Sequence, residues 1–352
     1  MILIAFGTRP EIIKLFPVIK ALRRQGAPFQ TLFTGQHLDL YQDVRQLIPE
    51  PNHHFDILSG QADTVTLGKS FTLICQAAEA LFQRQRFHWV VVQGDTTTAW
   101  ALAQMAFFQQ IPVAHVEAGL RTNNPANPFP EELNRTLITQ VASINFAPTP
   151  MAYDTLIACG ARNVHLVGNT IVDAVQEFRP LLDSPDKGKG DTVLITLHRR
   201  ENHAIMGKLF DEIQSIALAQ PQLRFIFPIH PNPNVRCHRQ RLTAPNIDII
   251  APMCYLEMLR LINKARFIIT DSGGIQEEAT CLNKKVLIVR ETTERQETIQ
   301  VGLGRLVGRH ISAGVDWALS PPPPQAPSPY GSGQAAAAIA ELLSTPLSQV
   351  PI

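Results

Sequence analysis

The chain has 352 residues, with 31 Lys and Arg against 30 Asp and Glu, giving a formal net charge of +1. Its 45% apolar and 17% charged composition is that of a folded globular protein rather than a disordered one, and its length predicts about two domains. Near-neutrality argues against nucleic acid or a membrane surface as a partner, because both select a basic footprint.

Ile2–Phe6 reads as a buried strand. The Gly7-Thr8-Arg9-Pro10 turn cuts it short, and no charged region precedes it, so it is not read as a secretory signal. Phe29–Thr34, Trp89–Gln93, Val113–Val116 and Ser143–Ala147 are further apolar strand candidates. Thr192–Leu197, Arg224–Ile229, Asp248–Ala251, Phe267–Thr270 and Val286–Val289 repeat the pattern in the second half. Amphipathic segments alternate with them, at Glu11–Arg24, Phe71–Arg84, Thr97–Gln109 and Met206–Ala219. That alternation predicts an α/β protein of two doubly wound, Rossmann-like domains with parallel sheets, facing each other. The break is expected between Gly168 and Asp191, giving domains 1–169 and 170–333. Asn169-Thr170 would cap a connecting helix over Ile171–Leu182, followed by a turn-rich linker from Ser184 to Gly190. Proline is in excess, at 27 residues or about 8% against an average near 5%. Part of it lies in the Ser320–Gly333 spacer, ahead of an Ala-rich helical run, Gln334–Leu343. No apolar run approaches the roughly 18 residues of a membrane span. The five cysteines (Cys75, Cys159, Cys237, Cys254, Cys281) are odd in number and lack a C-x-x-C pair. They predict reduced thiols in a soluble, cytoplasmic protein.

In parallel sheets ligands bind at the carboxyl ends of strands, and the chemically informative residues fall there. They are Gly7-Thr8-Arg9-Pro10-Glu11 with Lys14, then Gly35-Gln36-His37, Gly94-Asp95-Thr96-Thr97-Thr98 and Glu117-Ala118-Gly119-Leu120-Arg121. The second half adds His198-Arg199-Arg200-Glu201-Asn202, His230, Asp271-Ser272-Gly273-Gly274 and Arg290-Glu291. Ser272-Gly273-Gly274 opens a helix after a strand and suits a diphosphate, and Glu278 one turn on suits ribose hydroxyls. An N-cap serine with two packing glycines and a solvated Glu explains that fragment equally well. Pro130 places Glu131 at a helix start and Arg135 one turn along, where an ordinary intrahelical ion pair is the simpler reading. Gly302–Gly308 imitates a dinucleotide fingerprint without strand–turn–helix context, and Gly68-Lys69-Ser70 imitates a P-loop without its earlier glycine. Neither NAD nor a Walker-type ATPase is expected, and His230, Cys237 and His238 lack metal-ligand spacing, so no cofactor and no metal are predicted.

Taken together, the motifs resemble the bacterial non-hydrolysing UDP-N-acetylglucosamine 2-epimerases, in order from residue 1 to about residue 334. Those that carry the resemblance are Gly7-Thr8-Arg9-Pro10-Glu11, Gly94-Asp95-Thr96-Thr97-Thr98, His115–Arg121, Pro128-Phe129-Pro130-Glu131-Glu132, Gly168-Asn169-Thr170, His198–Asn202, Asp271–Glu278 and Thr292-Thr293-Glu294-Arg295. The resemblance implies a GT-B fold with the active site in the cleft between two Rossmann-like domains, and a C-terminal helix (334–346) packed back on the first. It implies reversible epimerisation of UDP-GlcNAc to UDP-ManNAc, by elimination and re-addition of UDP through 2-acetamidoglucal. By motif, Asp95, Glu117 and Glu131 are the acid/base group, with no assignment of which removes and which returns the proton, and His198 is a further catalytic residue. Arg9, Lys14, Arg135 and Ser272-Gly273-Gly274 are implied at the diphosphate, Glu278 at the ribose and Arg295 at the nucleotide end. His230, at its strand end, joins the candidate substrate contacts. Gln36, His37 and Gln61 match positions for a second, activating UDP-GlcNAc, and a homodimer is implied. Departures from the pattern (Gln93, Leu197, Gln296, Ser332 and Pro321–Pro324) leave the exact sugar open. A hydrolysing relative, an epimerase of a modified UDP-GlcNAc, a glycosyltransferase of the same fold and a UDP-sugar sensor are the rival readings.

Overall fold

The structure, a computed structural model, describes residues 1–35, 44–55, 66–182 and 190–345. The chain divides into unit 1 (Met1–Ala174 with Tyr330–Ile352) and unit 2 (Val175–Pro329). Unit 1 contains strands β1 (Ile2–Phe6), β2 (Phe29–Phe33), β3 (His53–His54), β4 (Trp89–Gln93), β5 (Val113–Val116), β6 (Ile144–Ala147) and β7 (Val164–Leu166). Its helices are α1 (Arg9–Arg24), α2 (Leu67–Arg84), α3 (Thr97–Phe108), α4 (Glu131–Val141) and α5 (Pro150–Ala158), with α6 (Thr170–Phe178) running across the division. Unit 2 contains β8 (Thr192–Thr196), β9 (Arg224–Pro228), β10 (Ile247–Ile250), β11 (Phe267–Thr270), β12 (Lys285–Ile288) and β13 (Gly304–Leu306). Among them lie α7 (Met206–Ala219), α8 (Pro233–Arg236), α9 (Tyr255–Lys264), α10 (Gly273–Cys281), α11 (Gln296–Gln300) and α12 (Val315–Leu319). A last helix, α13 (Ala335–Ser344), belongs to unit 1.

Both sheets are parallel throughout, in the orders β3-β2-β1-β4-β5-β6-β7 and β10-β9-β8-β11-β12-β13. Parallel strands are covered on both faces, which is why β1, β4 and β11 are uninterrupted buried runs and were legible as such. In unit 1 the strand order reverses at β1, with Ile4 paired to Thr31 on one side and Val91 on the other. Unit 2 reverses at β8, where Leu194 lies between Ile226 and Ile268. These switch points are where the loops after adjacent strands diverge and leave room for a ligand. Each unit has its own core, one around Val90, Leu102 and Ile138 and the other around Phe210, Phe225 and Phe267.

About five strands per domain were expected, and the sheets have three more: β3, β7 and β13. All three are short edge strands, β3 and β7 with only partly buried or exposed residues. An edge strand needs little hydrophobic patterning, so the sequence carries little signal for it. β13 lies inside the Gly302–Gly308 stretch, which is therefore an edge strand between glycines and not a strand–turn–helix. Among the described residues, no helix is long and apolar enough to cross a membrane.

After the proline spacer, the chain rejoins unit 1 through backbone and side-chain bonds. Asn169 N–H donates to the Tyr330 carbonyl (2.8 Å), and Tyr330 is buried. Ala336 N–H, in the first turn of α13, donates to Asp173 Oδ1 of α6 (3.1 Å). Asp173 thus supplies from another helix the acceptor that an N-cap residue would otherwise provide. Ala335, Ala336, Ile339, Ala340 and Leu343 form the buried stripe of α13. Asp173→Ala is expected to lower stability by about 1 kcal/mol, the usual cost of deleting a cap acceptor, with Asp173→Asn losing less. The shift in urea midpoint measures it.

Candidate active site

Glu117 follows β5 directly and has φ +64°, in the left-handed region where a residue with a Cβ is strained. Its carboxylate is buried, and Oε2 receives both the Lys14 ammonium of α1 and Gln93 Nε2 at the end of β4 (3.1 Å). Two neighbouring strand ends therefore converge on one carboxylate oxygen. Gly119 holds the next turn against α5: a Cβ there would lie 2.3 Å from the Ala152 carbonyl oxygen.

Asp95 follows β4 by two residues and keeps part of its side chain accessible. The Arg135 guanidinium of α4 pairs with its Oδ2, and Asn134 Nδ2 donates to its backbone carbonyl (2.8 Å). The turn is also secured from β5. Gly94 N–H bonds the Val116 carbonyl, and His115 Nε2 lies 2.8 Å from the Gly94 carbonyl. A carbonyl only accepts, so Nε2 carries the proton. Burial pushes the His115 pKa down to about 4, which keeps the ring neutral at pH 7.

Glu131 begins α4 and is half-buried, with Pro130 at the N-cap position. Arg135 makes an intrahelical pair with Glu132 (Oε2, 3.2 Å). Glu132 also accepts the backbone N–H groups of Thr122 and Asn123 (3.0 Å each), so it fixes the loop that follows β5. Nothing in the sequence separates the roles of the two adjacent glutamates.

Glu11 lies beneath these groups. Its Oε2 accepts Gly7 N–H, Thr8 N–H and the Thr8 hydroxyl (3.0, 2.8 and 2.7 Å), and its Oε1 accepts the Thr96 hydroxyl (2.8 Å). Thr96 in turn caps α3 through Ala99 N–H. One carboxyl thereby joins the caps of α1 and α3, the helices that start at Arg9 and just past Asp95. Arg9 is the first residue of α1 and is half-buried.

Unit 2 gathers its groups at the ends of β8, β9, β11 and β12. The His198 and His230 rings stack, with centroids 5.3 Å apart and planes at 20°. Ser272 takes the N-cap position of α10 without a capping bond from its hydroxyl, and Gly273 and Gly274 open the helix. Glu278 is buried within α10 rather than solvated. A Cβ on Gly273 would lie 2.8 Å from Arg295 Cζ, so any side chain there would have to displace the guanidinium laid across it. Arg295 belongs to a buried network: its Nε donates to Glu277 (3.0 Å), and its Nη1 pairs with Glu294. Glu294 also takes Arg290 Nη1 (2.8 Å), and Arg290 Nε reaches Glu201 (2.7 Å).

Of the expected substrate contacts, Lys14, Arg135 and Arg295 are thus already engaged with carboxylates. In unit 1, Asp95, Glu117, Lys14 and Arg135 form two neighbouring ion pairs. In unit 2, His198, His230 and the Ser272-Gly273-Gly274 segment share the strand-end edge. Gln36, His37 and Gln61 lie outside the described residues. Sequence reasoning overlooked Glu11, Gln93, His115 and Glu132 as supports of the site. Each sits inside or beside a strand-end motif, but its partner is visible only in three dimensions.

Residues 20–344 match the family described as UDP-N-acetylglucosamine 2-epimerase. A probable UDP-N-acetylglucosamine 2-epimerase of Ralstonia solanacearum is 36% identical over 96% of this chain and 97% of its own. Among solved structures, the UDP-GlcNAc 2-epimerase of Neisseria meningitidis bound to UDP-GlcNAc superposes with a TM-score of 0.89 at 33% identity, covering 97% of this chain and 99% of the other. The Methanocaldococcus jannaschii UDP-GlcNAc 2-epimerase, in complex with UDP-GlcNAc and UDP, gives 0.87 at 33% identity with the same coverage. The two parallel-sheet units agree with a GT-B-like fold.

Burial pushes the Glu11 pKa up from 4.5 to about 7, against the hydrogen bonds that lower it. Between these values the folded protein keeps a proton that the unfolded chain has released, so this group's contribution to stability falls as pH rises across that window. Glu11→Gln is expected to gain stability relative to the parent protein from pH 4.5 to 7, measured by urea unfolding at several pH values. A difference that stays constant with pH would show that the carboxyl is ionised throughout.

Proposed function

The chain belongs to the UDP-N-acetylglucosamine 2-epimerase family, and from that premise we propose that it interconverts UDP-N-acetylglucosamine and UDP-N-acetylmannosamine. No carbonyl adjoins carbon 2 of this sugar, so its proton is not acidic enough to be exchanged directly. Elimination avoids the difficulty. A carboxylate takes the carbon-2 proton as the carbon 1–oxygen bond breaks, the electrons of the C–H bond form the C1=C2 double bond of 2-acetamidoglucal, and UDP leaves with the pair of the broken bond. UDP then adds back to carbon 1, and a proton is delivered to the opposite face of carbon 2. Such a sequence needs carboxyl groups that change protonation state beside the sugar and fixed positive charge for the departing diphosphate.

Glu117, Asp95 and Glu131 are the proposed acid/base group, and His198 the further catalytic residue. The observation that carries the reading is Glu117 itself: a buried carboxylate on strained left-handed backbone, gripped by Lys14 and Gln93. A strained residue persists where its surroundings over-determine it, as at catalytic positions. Lys14 and Arg135 are accordingly assigned first to the two carboxylates, which they pair with directly, and only through them to the diphosphate. Arg9, His230, Arg295 and the N–H groups opening α10 at Ser272-Gly273-Gly274 are the proposed diphosphate and nucleotide contacts, with Glu278 for the ribose. Homodimerisation, and activation by a second UDP-GlcNAc through Gln36, His37 and Gln61, extend the proposal.

Incubation with UDP-GlcNAc in deuterated water, followed by NMR, tests the reaction. Deuterium at carbon 2 of both epimers and a reversible mixture of the two UDP-sugars are expected. Accumulation of free ManNAc and UDP would instead identify a hydrolysing enzyme. Glu117→Gln and Asp95→Asn are each expected to lower kcat by about 100-fold or more. UDP affinity, measured by calorimetry, should stay within a few-fold. Parent-like turnover in both variants would falsify the acid/base assignment.

A further inference from the structure

We propose that Asp271 is the positioning residue for His198, holding the loop that carries the imidazole and the edge of the imidazole at the same time. This rests on the reading that His198 takes part in the reaction. Asp271 stands at the end of β11, the sheet neighbour of β8, and is fully buried. The two strand ends are tied by Thr196 and Thr270, whose hydroxyls are 2.5 Å apart, and by Asp271 N–H to the Thr196 carbonyl (3.2 Å). The Asp271 carboxylate accepts His198 N–H on both oxygens (3.1 Å each), Arg199 N–H (2.9 Å) and Asn202 Nδ2 (3.0 Å). Asn202 is itself anchored to the Val289 carbonyl after β12 (2.9 Å).

The imidazole is placed by the same carboxylate. His198 Nδ1 is 3.4 Å from Asp271 Oδ1, an electrostatic contact rather than a full hydrogen bond. The negative carboxylate favours the proton on the nitrogen that faces it, which leaves Nε2 as the working atom. One ring face lies against His230. Edge and face are therefore both fixed, as a residue that handles a proton requires.

The charged and titratable groups around His198 are Asp271 from β11, Arg199 and His203 from its own loop, Arg290 from the end of β12, and His230 after β9. Burial lowers the His198 pKa most, and Arg199, His203 and Arg290 lower it further. Asp271 is the counterweight that raises it. A purely structural Asp271 would act through the backbone alone, and an isosteric amide would then leave the ring's titration where it was.

The test is an NMR titration of the His198 ring, beside the pH dependence of kcat, in the parent enzyme, Asp271→Asn and His198→Gln. In Asp271→Asn, His198 is expected to titrate lower by about one pH unit or more, the usual effect of losing an adjacent opposite charge. The corresponding limb of the kcat profile should move with it, and kcat should fall more than KM changes. A parent-like His198 titration in folded Asp271→Asn overturns the proposal. If Asp271→Asn does not fold, Asn202→Ala decides. It takes one donor from the carboxylate, so His198 should titrate higher than in the parent enzyme, and an unchanged value overturns the proposal. Parent-like turnover in His198→Gln would instead remove His198 from the reaction, a separate outcome.

Discussion

A carboxylate without water around it must be given cations or N–H donors, because leaving it buried and unpaired costs several kcal/mol. That requirement organises both units. Glu117 is met by Lys14 and Gln93, Glu132 by Arg135 and two backbone N–H groups, and Asp271 by two backbone N–H groups and Asn202. In each case at least one partner comes from outside the carboxylate's own loop. A parallel sheet makes this possible: adjacent strands end side by side at the same edge, and the helix that follows each strand begins there. The charges thus knit the loops into a fixed surface, and the same charges are the ones suited to a sugar nucleotide.

The two units apply the requirement in opposite senses. In unit 1 single cations hold carboxylates in place. In unit 2 carboxylates immobilise guanidinium groups: Glu201, Glu294 and Glu277 fix Arg290 and Arg295, and Arg295 lies across Gly273 at the start of α10. Thr293 strengthens this by bonding Gln276 of α10 (2.9 Å) and Arg295 N–H (3.1 Å). The segment after β12 and the opening of α10 therefore form one rigid piece. Fixed dipoles and charges of this kind need no reorganisation when an anion binds or leaves.

Much of this was legible in the sequence. Central strands such as Trp89–Gln93 and Phe267–Thr270 announced themselves because both sheet faces are covered, so the runs are apolar up to their last residue. The strand-end motifs followed from where those runs stop. What was hidden is pairing. Lys14 and Arg135 look like phosphate ligands to a reader who sees their charge but not the carboxylate opposite, more than 100 residues away for Lys14 and 40 for Arg135. Glu131 and Glu132 are indistinguishable until the helix start is oriented. The backbone strain at Glu117 leaves no trace in composition, since nothing in the residue type marks a positive φ. The edge strands escaped because two or three half-exposed residues need no pattern at all.

Unit 1 is discontinuous: its first part ends at Ala174 and its last begins at Tyr330, with unit 2 threaded between. The ribosome therefore delivers the whole of unit 2 before it delivers α13, whose buried stripe completes unit 1. The unit begun first is the one finished last. During synthesis the apolar surface of unit 1 that α13 will cover must wait while more than 150 residues emerge and fold, a vulnerability set by chain order rather than by the native contacts.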